Sequence, residues 1–251
     1  MVEYQAGHDI TNRHEFVRID QKFWTVYNNG SPDFRYSIKD AKTFDQMIER
    51  AHSGFVTAHV NGRPALIMKT MIRNTGGKIE NIPRTSVELT GEMWEPFDGE
   101  GDTAFFVTCT IHDELQDYKI GGKKRLSDSS VSSARKYYRD KKQITYSPCA
   151  INATLLHIRN GALPVTYISG ARPGIVIFDE PAEDVVVWGY QWKDYDFELF
   201  DFLNKRFKGK TRGYTDLRQL SPYYREGMSF QEFAAIPSEA SQDFNHSVIS
   251  P

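Results

Sequence analysis

The 251-residue chain lacks most of the features that would announce a chemistry. Its only cysteines are Cys109 and Cys149, so neither a disulfide framework nor a cysteine-rich zinc site can be built, and a reducing compartment fits best. No apolar run approaches the ~20 residues of a membrane helix. The opening residues Met1-Val2-Glu3-Tyr4-Gln5 have neither the basic nor the apolar region of a secretory leader. A cytoplasmic protein with no membrane partner is therefore expected. A net charge of −2 with 25% charged residues argues against a protein built to coat nucleic acid, while leaving room for a local basic patch. Also missing are a phosphate loop ending in Lys-Ser or Lys-Thr, a dinucleotide glycine fingerprint, a Gly-x-Ser-x-Gly elbow and a His-Glu-x-x-His pair.

What is present is a folding sequence. Aromatic residues make up 13% of the chain, well above a disordered composition. A chain of this length buries roughly three quarters of its unfolded surface. Phe16-Val17-Arg18-Ile19 and Phe23-Trp24-Thr25-Val26-Tyr27, followed by the turn residues Asn28 to Asp33, read as an antiparallel β start. Thr43 with Gln46 forms a capping box ahead of a short helix whose Phe44, Met47, Ile48 and Ala51 share one face. Phe55 to Val60 and Ala65 to Ile72 flank Asn61-Gly62, a hairpin with a type I′ turn. Residues 80–102 read as a long irregular excursion before a strand at Ala104 to Ile111. Residues 120–133 read as a mobile basic loop leading into a helical stretch at 134–139.

A second hairpin is expected at Ala150 to Ile158 and Ala162 to Ile168 around Asn160-Gly161. Strands follow at Ile175 to Phe178 and Val185 to Trp188, and then a helix capped by Asp194 with Phe200, Leu203 and Phe207 in one stripe. The fold class implied is α+β: a mainly antiparallel sheet built from hairpins, with a few packed helices. Residues 1–237 form one domain and 238–251 a polar tail.

Two acidic clusters carry little chemistry. His112-Asp113-Glu114 reads as a surface turn before a metal or base site, and Asp179 to Asp184 as a solvated loop before a cation site. No metal site is assigned. The basic series Lys119, Lys123, Lys124, Arg125, Arg135, Lys136, Arg139, Lys141, Lys142 is interleaved with Tyr118, Tyr137, Tyr138 and Tyr146. It suits phosphate contact and base stacking, or equally a solvated face.

Ser147-Pro148-Cys149 to Leu163 and Asp184 to Tyr195 carry a family resemblance. The first resembles the nucleophile region of thymidylate synthases and deoxycytidylate hydroxymethylases, where Pro-Cys opens a strand that ends in an Ile-Arg-Asp/Asn-Gly turn. The second resembles the stretch where that family reads the pyrimidine edge. The resemblance implies one-carbon transfer to C5 of a pyrimidine nucleotide, with Cys149 as thiolate nucleophile and Asp194 on the base. Arg135, Arg139, Arg172 and Tyr146 would hold substrate or phosphate, and methylene-tetrahydrofolate would be the cofactor. From the residues alone, Cys149 equally reads as a small buried hydrophobe. The alternative function is a non-catalytic nucleic-acid-binding or assembly protein using residues 118–146. A nucleotide or single-stranded nucleic acid is the partner either reading allows, and homo-oligomer formation stays open.

Overall fold

The first apolar stretch folds as a helix, not as strands. The computed structural model describes residues 1–27, 38–51, 54–76, 78, 81, 101–141, 143–168, 184–190, 195–207, 216–229 and 231–233. After the edge strand β1 (Val2–Ala6), Phe16, Ile19 and Phe23 fall at helical spacing along α1 (Arg13–Tyr27). Short runs of alternating apolar residues satisfy both periods, and here the wider spacing decided. α2 (Ala41–Ala51) buries Phe44, Met47 and Ile48. Its cap is Asp40, whose carboxylate accepts from the Thr43 amide at 2.7 Å, in place of the expected Thr43–Gln46 box.

β2 (Phe55–Val60) and β3 (Arg63–Arg73) pair through Asn61-Gly62, with φ of 51° and 79°. The type I′ turn was legible. β4 (Thr103–Ile111) follows, and then the small hairpin of β5 (Lys119–Ile120) and β6 (Lys124–Arg125). The expected basic loop is this hairpin together with the first half of α3 (Leu126–Asp140).

β7 (Ile144–Ala150) is followed by a 3-10 turn over Ile151–Ala153 and by α4 (Thr154–Arg159), where the second hairpin was expected. Asn160-Gly161 closes that helix. The Gly161 amide donates to Ile158 O at 2.9 Å and the Ala162 amide to His157 O at 3.0 Å, with Gly161 at φ 76°. An Asn-Gly pair serves a helix end as readily as a hairpin, because both need a left-handed glycine. β8 (Leu163–Ile168), β9 (Val185–Gly189) and α5 (Phe197–Phe207) follow, and short 3-10 turns lie at Gly7–Asp9, at Asp113–Leu115 just after β4 and at Leu217–Leu220. Asp196 caps α5, accepting from the Leu199 amide at 2.8 Å. Residues 175–178 and Asp194 lie outside the described residues.

The seven-stranded sheet runs β1-β2-β3-β4-β7-β9-β8. Every pairing in it is antiparallel except β4 with β7, so the α+β class with a mostly antiparallel sheet holds. Alternate residues face opposite sides. Phe55 and Ile67 meet α1 and α2, whereas Val56, Met68, Phe106 and Trp188 meet α3 to α5. Among the described residues, no helix is long and apolar enough to cross a membrane.

Candidate functional site

The one parallel joint among the described strands is short. β4 and β7 are in register only at Thr103 with Ile144, Ala104 with Thr145 and Phe105 with Tyr146. Beyond Phe105, β4 continues on β3 as far as Ile111, while β7 beyond Tyr146 continues on β9. The sheet therefore forks toward the carboxyl ends of its two parallel strands, where open sheets bind ligands. At the apex, the Ser147 hydroxyl donates to Phe106 O at 3.4 Å. The rings of Phe105 and Tyr146 stack at 5.9 Å. Gly189 is required beside them, because a Cβ there would lie 2.7 Å from Val165 Cγ2 and 3.2 Å from Tyr146 Cε1.

The loop after β4 leads to a second feature. Gly121 and Gly122 have φ of 58° and 72°, with open space where a Cβ would sit. Exposed Lys123, Lys124 and Arg125 follow, and α3 begins with no side-chain cap on its first turn. The Leu126 amide donates to Tyr118 O at 3.0 Å. Glycine amides, uncapped helix amides and three cations together suit an anion. Asp128, in the same first turn, is engaged elsewhere: Asn160 Nδ2 donates to it at 2.8 Å, and Arg159 lies 3.6 Å away.

A line of short contacts lies on the helix side of the fork. Cys149 Sγ is 2.7 Å from His157 Nε2, and His157 Nδ1 is 2.7 Å from Tyr190 Oη. The imidazole stacks on Trp188 at 5.6 Å. Burial pushes the Cys149 thiol up to about 12 and His157 down to about 3, so both are neutral at ordinary pH. In one tautomer Cys149 donates to Nε2 and Nδ1–H donates to Tyr190; in the other Tyr190 donates to Nδ1 and Nε2–H donates to sulfur.

The expected site residues divide. Cys149 belongs to this buried line, and a thiol held protonated by burial is the opposite of an activated thiolate. The nucleophile role belongs to the pyrimidine chemistry and stands or falls with it. Tyr146 is buried against Phe105. Arg135 is spent inside the fold, donating to Asn160 O at 2.6 Å with its guanidinium 4.6 Å from the Tyr190 ring centre. Arg139 lies 3.8 Å from Asp140. Asp194 and Arg172 lie outside the described residues. Neither the fork nor His157 was singled out from sequence, although Gly121-Gly122 followed by three cations was a visible signal for the glycine turn. Among the described residues, no group of three or more His, Cys, Asp or Glu side chains is arranged to hold a metal.

No family model matches the sequence, and no curated protein matches it. Solved structures with a similar arrangement include an acetyltransferase of the GNAT family from Streptococcus pneumoniae. It is 9% identical, with a TM-score of 0.46 over 75% of this chain and 98% of that one. The loading GNATL domain of CurA from Lyngbya majuscula is 11% identical, with a TM-score of 0.48 over 76% and 97%. The structure of yncA from Salmonella typhimurium with its cofactor acetyl-CoA is 10% identical, with a TM-score of 0.48 over 75% and 92%. The Streptococcus and Salmonella structures bear acetyltransferase names, whereas the sequence pointed to thymidylate synthases. The resemblance built on residues 147–163 and 184–195 is corrected, together with pyrimidine C5 chemistry, because the strand-and-hairpin core it requires is here a strand followed by a helix.

Proposed function

We propose that the chain is an acyltransferase that takes its acyl group from an acyl-coenzyme A bound in the fork between β4 and β7. The fork is the observation that carries this reading. Its two halves ask for a ligand with a phosphorylated head and a thin, amide-bearing arm. The head matches the turn at Gly121-Gly122, the first-turn amides of α3, and Lys123, Lys124 and Arg125. The arm matches the unpaired edge of β4 beyond Phe105, where outward backbone N–H and C=O groups can pair with a chain laid alongside. Thr108 and Thr110 on that stretch also carry buried hydroxyls with no partner among the described residues. These residues fit such a cofactor. When bound, it supplies an acyl group activated as a thioester; acetyl-CoA, named for the Salmonella structure, is a molecule of this kind. The protein's own share is positioning: the basic turn neutralises the head, the β4 edge aligns the arm, and Phe105 with Tyr146 seals the apex against water on the α1 side.

The test is calorimetric titration with coenzyme A, followed by release of free thiol from acetyl-coenzyme A when a primary amine is added. The expected result is binding that weakens at least ~10-fold in the double variant Lys123→Ala/Lys124→Ala, since two charge-assisted phosphate contacts are lost. A chain that shows no coenzyme A binding, or the same affinity in the double variant, overturns the proposal.

A further inference from the structure

Two adjoining hollows lie at the end of β4 remote from its parallel joint. They measure about 470 and 610 Å³ and share Glu15, Ile19 and His112. That size suits a small molecule. The larger is built where the middle of α1, the β2–β3 turn and the 3-10 turn after β4 converge, and it contains no residue of the fork or of the glycine turn. Ile19, Val60, Pro64 and Leu115 supply its apolar surface.

The charges around these hollows are unequally used. Arg18 pairs with Glu15 at 3.2 Å, Lys22 pairs with Asp113, and Asn61 Oδ1 accepts from the N-terminal amine at 2.6 Å. His112 Nδ1 accepts from the Glu114 amide at 3.3 Å, which leaves Nε2 to carry the proton of the neutral ring. The guanidinium of Arg63, the carboxylate of Glu114 and the Tyr118 hydroxyl have no partner among the described residues, yet all three line the larger hollow. One unmatched cation and one unmatched anion therefore border a single apolar surface.

We infer that this hollow binds a free α-amino acid with an apolar side chain. Its carboxylate goes to Arg63 with the Tyr118 hydroxyl, its ammonium to Glu114, and its side chain onto Ile19, Val60 and Leu115. A singly charged ligand leaves one of the two charges unanswered, and an uncharged apolar ligand desolvates both without return. A compact zwitterion with an apolar body meets all three requirements. Because Arg63 and Glu114 are exposed, the gain per charge is small, and the affinity is on the order of 0.1–1 mM.

The experiment titrates the full chain with L-leucine, N-acetyl-L-leucine and L-leucinamide, by calorimetry and by thermal shift, and repeats it in Arg63→Met and Glu114→Gln. Both positions are on the surface, so an unchanged melting temperature without ligand verifies that the variants fold. The expected result is leucine binding with a raised melting temperature, at least ~10-fold weaker binding of each capped analogue, and a similar loss in each variant. No leucine-dependent shift at ~10 mM overturns the inference. So does leucine binding retained in both variants, or N-acetyl-leucine binding as well as leucine.

Discussion

His157 stands between two short contacts, with the Trp188 ring against its face and, among the described residues, no charged partner to stabilise an imidazolium. Burial lowers its affinity for protons from an ordinary 6.5 to about 3. The unfolded chain takes up a proton below pH 6.5 that the folded chain refuses, so this residue's contribution is complete above that value and declines as pH falls toward 3. Between pH 7 and pH 5 the loss is about 2 kcal/mol. Urea denaturation at the two pH values should show it, and His157→Gln, which keeps a polar side chain without the titration, should flatten the difference. The sequence places Cys149 and His157 eight residues apart, and a hairpin reading sends them along one strand with no reason to meet. The turn of chain at Ile151–Ala153 and the helix after it fold His157 back onto the sulfur. That contact depends on local backbone geometry that residue types leave undecided.

At the level of elements, α1 is fastened to the sheet by a buried ion pair. Lys69 Nζ on β3 lies 2.8 Å from Asp20 Oδ1, with 2% and 0% of the side chains exposed. The other Asp20 oxygen accepts from the Ile38 amide at 2.7 Å, which pins the chain just before α2. Breaking such a pair is far more costly than replacing it, because the surviving charge stays buried. Lys69→Met should destabilise the fold by about 3–5 kcal/mol, and adding Asp20→Asn should restore most of the loss; chemical denaturation of both variants checks this. The same helix marks where element prediction failed. Nothing in the sequence pairs Lys69 with Asp20, and only the packed helix shows them as partners. By contrast, β2 with β3, α2, β4 and β9 were legible: the strands are apolar runs buried along most of their length, β2 and β3 are joined by an unmistakable Asn-Gly turn, and α2 carries one apolar face.

For the whole molecule, the α+β class could be read from local signals, but the order of strands could not. Nothing in the residues of β4 and β7 announces that they lie side by side in parallel, because that pairing is made across the intervening β5–β6 hairpin and α3. The fork that follows was invisible for the same reason. It has a measurable signature: the amides of Val107 to Ile111 that turn away from β3 have no strand partner among the described residues, so they should exchange with deuterium faster than their β3-paired neighbours. Saturating coenzyme A should slow that half of the strand selectively, as read by peptide-level or NMR hydrogen exchange.

The three-rung joint also sets how this chain assembles in time. On one side of it β1 to β4 are joined by antiparallel pairings, and on the other β7, β9 and β8 are joined likewise. Three pairs of residues connect these two blocks within the sheet, and closing a parallel connection costs loop entropy before it returns any contact. The blocks are therefore the natural first products of folding, and the seam between them is the last strand contact to form and the first to part. The opening offered to a ligand is the same line along which the protein comes together.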